Sequence, residues 1–163
     1  MIVQRSGNGH IKRQNAYLMG SGQATDSCAG AVVYSLINGQ LFANSSTSTQ
    51  QFSTDPGVQY ANFTPSSAPG SVTSTFSVDS QNNLLWSNSN FYNNQARFCV
   101  MPDDSLISVF DNPEVAPSDC NFVFLSLTRV STCAAAVGAP ALSGPSGPSG
   151  VCCIYSMLSF AHD

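Results

Sequence analysis

The chain has 163 residues, enough for one ordinary domain with its own core and no more. Charged residues make up 9 %, against about a quarter in a typical cytosolic domain, so solvation falls to Ser, Thr, Asn and Gln. The formal charge of −4 and the scattered arginines argue against a nucleic-acid partner. No stretch approaches the roughly 18 apolar residues of a membrane span.

The first predicted element is a strand at Ile2-Val-Gln, followed by a turn at Ser6-Gly-Asn-Gly. Residues 1–13 form a short basic segment that closes on Lys12-Arg13. This is a dibasic pair of the kind a kexin-type processing protease reads, although the favoured reading is an exposed loop carrying two charges. From Tyr17 to Phe63 strand and turn alternate. Ala31-Val-Val-Tyr-Ser-Leu-Ile37 reads as a strand, Asn38-Gly39 as a hairpin turn, and Gln40-Leu-Phe-Ala43 as the returning strand. Asn-Gly suits a type I′ turn because both central residues need positive φ. Asp55-Pro56-Gly57 marks another turn before Val58-Gln-Tyr-Ala-Asn-Phe63.

Four further strands are predicted at residues 71–78, 95–100, 106–110 and 122–128, rich in β-branched and aromatic residues and bounded by turn formers. The run Val33-Tyr-Ser-Leu, Asn-Gly, Gln-Leu-Phe-Ala is echoed about forty residues later. The second copy is Phe76-Ser-Val, Gln81-Asn-Asn, Leu-Leu-Trp86. No segment carries a helical period. The expected fold is therefore all-β: one compact antiparallel domain over residues 14–133, trefoil-like or a barrel, with a β-sandwich as the alternative. Residues 134–150 read as a Ser/Gly/Pro linker. Residues 151–163 read as an atypical apolar tail, lacking a lipid-anchor pattern and equally explained as an intron read as coding sequence. The C-terminal tail is expected to be disordered.

The chain has six cysteines, and Cys28, Cys99, Cys120 and Cys133 lack the paired short spacings of zinc sites, which points to structural disulfides in an oxidising compartment. Cys99 is paired with Cys120, because a turn at Pro102-Asp103-Asp104 returns the chain beside itself. Cys28 with Cys133 is a second pairing, one of the three connectivities that four cysteines allow. Cys152 and Cys153 stay outside this framework. The opening Met1-Ile-Val-Gln-Arg-Ser lacks the charged start, apolar run and cleavage site of a signal peptide. The expectation is an extracellular or cell-wall protein whose gene model has lost its first exon, with a cytosolic protein as the alternative.

Candidate chemistry is sparse. His10 and His162 are the only histidines, and neither lies near a nucleophile-elbow motif. Asp103, Asp104, Asp111, Glu114 and Asp119 all fall between Cys99 and Cys120. Two carboxylates about 5–9 Å apart would serve a glycosidase, and several on one loop would hold calcium, yet Asp beside Ser, Asn or Cys is ordinary turn chemistry. Trp86, Phe91 and Tyr92 sit in an Asn-rich turn. Trp86 and Tyr92 are the candidate sugar-stacking residues, although a Trp after two leucines also suits a core. Asn44-Ser-Ser46 and Asn62-Phe-Thr64 are N-glycosylation triplets. No metal site and no cofactor are expected.

Residues 33–43, 52–61, 75–78 and 85–88 together resemble an uncharacterised domain of secreted proteins from filamentous fungi. Phe98-Cys-Val, Val109-Phe110 and Cys120-Asn-Phe-Val-Phe-Leu complete the resemblance, which covers roughly Ile2 to Cys133. The hairpin between Cys99 and Cys120 is more loosely similar to fungal cell-wall structural proteins. The resemblance implies a leader peptide before the domain and O-glycosylated stalks after it, and it carries no catalytic residues. The expected function is a non-enzymatic extracellular domain of the fungal surface or cell wall, structural or adhesive. A carbohydrate-binding module for cell-wall polysaccharide is the alternative, and a small glycosidase the second alternative.

Overall fold

The computed structural model describes residues 2–3, 14–15, 17–18, 22–25, 33–44, 49–129 and 151–157. The described chain is mostly β-strand, with antiparallel pairing throughout except where Ile2 pairs in parallel with Met157. Four two-residue strands open it: β1 (Ile2–Val3), β2 (Gln14–Asn15), β3 (Tyr17–Leu18) and β4 (Ala24–Thr25).

The hairpin expected at Asn38-Gly39 forms between β5 (Val33–Ile37) and β6 (Gln40–Asn44). Asn38 and Gly39 have φ of 50° and 75°, the left-handed pair that a type I′ turn requires. β7 (Thr49–Gln51) continues the meander, and β8 (Tyr60–Asn62) follows the Asp55-Pro56-Gly57 turn, which the Val58 N–H closes onto the Asp55 carbonyl. The echo of the first hairpin is a second one, β9 (Phe76–Val78) and β10 (Leu84–Trp86), with Trp86 opposite Phe76. The two hairpins touch where the Phe76 N–H donates to the Gly39 carbonyl at 2.9 Å.

The remaining strands are β11 (Arg97–Val100), β12 (Leu106–Val109), β13 (Asn121–Arg129) and β14 (Val151–Met157). Among the described residues the main sheet runs β7-β6-β5-β14-β13-β11-β12-β8, and β9 and β10 form a separate ribbon. β13 is shared: its first residues pair with β11 and its later ones with β14. The all-β, antiparallel expectation holds. Trefoil or barrel closure is not seen in the pairing of the described strands, because β7 and β8 end the path without pairing with each other. Residues 151–157, set apart as a tail by their abrupt composition, run as a strand between β5 and β13.

The core lies on the inner face of this sheet. Tyr34, Leu41, Phe52, Phe63, Phe98, Val100, Leu106, Phe110, Val123 and Leu125 are buried there, and the β9–β10 ribbon lays Phe76, Leu84 and Trp86 over them. The ribbon is anchored through its turn. The Asp79 carboxylate accepts the backbone N–H groups of Gln81 and Asn83 at 2.8 Å and the Asn83 amide at 2.9 Å. The Asn83 side-chain oxygen in turn accepts the Ser126 hydroxyl of β13 at 2.8 Å. Elsewhere, Gly70 passes so close to Thr54 that an added Cβ would lie 2.6 Å from its carbonyl oxygen. This close approach lets Thr54 and Val72 exchange both backbone hydrogen bonds.

All four residues of β12 are buried, so this strand is covered on both faces. On the outer face Cys99, Ile107 and Val109 pack under Ala116, Cys120 and Phe122. Residues 111–120 form a flap over that face, shaped by a 3-10 turn at Pro113–Val115 in which the Asn112 side chain caps the Glu114 N–H. The Cys99–Cys120 disulfide, with Cα atoms 5.4 Å apart, ties the end of the flap to the middle of the sheet. The pairing follows the sequence expectation, and the turn that returns the chain is closed by the Asp104 N–H on the Met101 carbonyl. Cys28 and Cys133 lie outside the described residues.

Closing a loop of this length limits the unfolded chain and stabilises the fold by about 3 kcal/mol. Replacing Cys99 and Cys120 together by Ala is expected to lower the urea unfolding free energy by about that amount. A loss well under about 1 kcal/mol would mean that packing alone holds the flap.

Candidate functional site

The Asn-rich turn at residues 86–94 is built by its own side chains. The Asn88 side-chain oxygen accepts the Asn90 N–H at 2.9 Å, and the Asn88 N–H donates to the Asn94 carbonyl at 3.0 Å. Asn93 and Asn94 adopt φ of 50° and 61°, a region Asn enters more readily than bulkier residues. The asparagines therefore serve the loop's geometry.

Trp86 and Tyr92, read together from the sequence as sugar-stacking residues, have opposite environments. Trp86 is 1 % exposed. Its ring stacks on Phe76 at 4.3 Å and meets Phe91 and Phe110 edge-on at 5.4 and 5.2 Å. Its indole N–H donates to the Ser74 carbonyl at 3.1 Å, which satisfies its one polar atom. No ring face is left for a sugar, and the ligand-stacking expectation for Trp86 is corrected: it is core, held there by the ribbon's pairing with Phe76. Tyr92 is 43 % exposed, and its backbone N–H donates to the Phe110 carbonyl at 2.7 Å.

A second exposed tyrosine lies nearby in the fold. The Gln59 carbonyl accepts the Phe110 and Asp111 N–H groups, so Tyr60 and Tyr92 both flank the end of β12. Tyr60 is also 43 % exposed and stands opposite Val109, which in turn stands opposite Arg97. Phe124, 52 % exposed, adds an aromatic to β13. Sequence reasoning missed Tyr60 and Phe124 because their strands alternate, and which face of an alternating strand meets solvent depends on register.

The carboxylates between Cys99 and Cys120 fall on both sides of β12. Asp103 and Asp104 precede β12 while Asp111 and Glu114 follow it, and four strand residues span about 13 Å. Asp103 accepts the Ser105 hydroxyl and N–H, which hold its carboxyl below the usual range. Asp111 accepts the Asn112 N–H at 2.7 Å, and Glu114 accepts the Asn112 amide at 3.4 Å. Asp55 and Asp79 are likewise lowered, by hydrogen bonds from Ser71 and from Asn83. Charge-stabilising donors favour the ionised form, so these groups are turn-forming acceptors. Among the described residues no group of three His, Cys, Asp or Glu side chains could hold a metal ion.

Ser108 is an isolated feature of the inner face. It is 1 % exposed, and its hydroxyl has no hydrogen-bond partner among the described residues. Asn62 is exposed on β8, whereas Asn44 is the last residue of β6. Lys12, Arg13, His10 and His162 lie outside the described residues.

A family model described as a domain of unknown function, DUF7908, matches residues 1–131. The chain belongs to that family. The DUF7908 match takes in β1 to β13 and both cysteines of the Cys99–Cys120 disulfide, and it stops before β14. No curated protein and no solved structure matches the chain. No described helix is long and apolar enough to cross a membrane.

The environments of the two aromatics predict opposite mutant behaviour. Trp86→Ala should cost about 3–5 kcal/mol in thermal or urea unfolding, and Tyr92→Ala should stay within about 0.5 kcal/mol. Equal costs for the two variants would contradict the packing described.

Proposed function

We propose that this DUF7908 domain is a non-enzymatic extracellular domain of the fungal surface or cell wall, structural or adhesive. The observation that carries this reading is the flap of residues 111–120, pinned by Cys99–Cys120 over a strand already buried on its other face. A disulfide that completes a small core persists in oxidising compartments. The charge-poor, hydroxyl- and amide-rich composition supports the same address. So does the resemblance of residues 33–43, 52–61 and 75–88 to secreted fungal proteins. The carboxylates of Asp103, Asp111 and Glu114 accept hydrogen bonds within their own turns, which supports the non-enzymatic reading.

Carbohydrate binding is the second reading, now resting on Tyr60 and Tyr92. Both are 43 % exposed and both are fixed through the backbone at the end of β12. Rigid, exposed aromatic rings give a sugar ring contact area at low entropic cost. Cell-wall polysaccharide is the partner this reading implies.

A pull-down on insoluble chitin, β-glucan and mannan separates the two readings. The structural reading predicts that the folded, disulfide-bonded chain is not retained by any of them. Retention eluted by soluble oligosaccharide, and lost in the Tyr60→Ala/Tyr92→Ala variant, would replace it with the carbohydrate-binding reading.

A further inference from the structure

The two ends of the main strand path are finished differently. At the β7 end, Gln51 of β7 exchanges backbone hydrogen bonds with Ser66, and Thr54 does so with Val72, so the loop of residues 65–72 covers that end. At the other end β8 pairs with β12 on one side, and among the described residues no strand pairs with its other side. An open edge presents backbone donors and acceptors to any passing strand.

Proteins commonly blunt such an edge with a charge, a proline or a bulge. Residues 58–63, Val-Gln-Tyr-Ala-Asn-Phe, carry neither charge nor proline; prolines stand only outside the run, at Pro56 and Pro65. Val58 and Tyr60 are exposed on it. A short, uncharged, proline-free segment with aromatic and β-branched residues is the kind that pairs with copies of itself. What the edge does carry is Asn62, exposed and followed by Phe63 and Thr64 in an Asn-x-Thr triplet. The buried Phe63 fixes the residue between them, and the Thr64 N–H folds back on the Asn62 carbonyl at 2.9 Å. The register places Asn62 opposite Ile107, two residues along the edge from the exposed Tyr60.

We propose that Asn62 carries an N-linked glycan that guards the β8 edge against pairing with a second copy of the chain. The reaction joins the Asn62 side-chain nitrogen to the anomeric carbon of a lipid-pyrophosphate-linked oligosaccharide. The anomeric C–O bond to pyrophosphate breaks, the amide loses one proton, and the lipid pyrophosphate leaves. A glycan here does by bulk and hydration what an edge lysine does by charge. The proposal rests on the extracellular reading for its setting, since the modification takes place in the secretory pathway.

The test is to secrete the full chain from a eukaryotic host behind a supplied leader peptide. Glycopeptide mass spectrometry reads Asn62 occupancy, and analytical ultracentrifugation reads assembly. Because the leader is supplied, a failure here concerns Asn62 and leaves the domain's natural address to other experiments. The expected results are an occupied Asn62, a monomeric glycosylated chain, and at least a doubled mass for N62Q at the same concentration. Adding Tyr60→Lys to N62Q should restore the monomer. An unoccupied Asn62 in folded secreted material, or a monomeric N62Q, overturns the proposal. An N62Q assembly that persists with Tyr60→Lys places the contact elsewhere and overturns it too.

Discussion

The structure depends on the burial of one short strand from both sides. β12 has no solvent face: Leu106 and Ser108 point into the main core, and Ile107 and Val109 lie under the flap. A strand so placed needs a cover on its outer side. Residues 111–120 supply that cover and the Cys99–Cys120 bond fixes it. The energetic logic is that of a small domain, where one covalent tie adds what a limited apolar area cannot.

Other features follow from the same sheet. β11, between β12 and β13, holds Cys99 toward the flap and Phe98 toward the core, so the disulfide and the aromatic cluster stand back to back. The β9–β10 ribbon closes the inner side, and its position is set by polar bonds at the turn as well as by Trp86. The chain from Asp79 through Asn83 to Ser126 links a solvent-exposed carboxylate to the central strand β13. The Ser108 hydroxyl departs from this pattern, buried with no hydrogen-bond partner among the described residues. Nothing in its surroundings explains why a serine stands at that position.

Much of the fold was legible in the chain. Asn38-Gly39 announced its turn because few other dipeptides accept two positive φ values, and Asp55-Pro56-Gly57 did so for similar reasons. Cys99 with Cys120 was legible because a turn at Pro102 leaves the two within reach. Less legible were partners distant in sequence. The strand at residues 151–157 pairs with β5 and β13 across more than a hundred residues on one side, and no local pattern encodes such a register. Composition and neighbouring leucines allowed two readings of Trp86. Its burial was decided by Phe76, Phe91 and Phe110, which only the fold brings together. Tyr92 stood out in its turn, but its neighbour Tyr60 was hidden for the same reason, because the link between them passes through Phe110.

Whether the flap completes the core through its covalent tie is tested most directly by native-state hydrogen exchange, compared before and after mild reduction of Cys99–Cys120. The β11 and β12 amides should be among the slowest to exchange in the oxidised protein. After reduction, protection should fall first in residues 111–120 and then on the β12 residues beneath them. Unchanged protection of the flap and of β12 in the reduced, folded protein would contradict a core that depends on the disulfide.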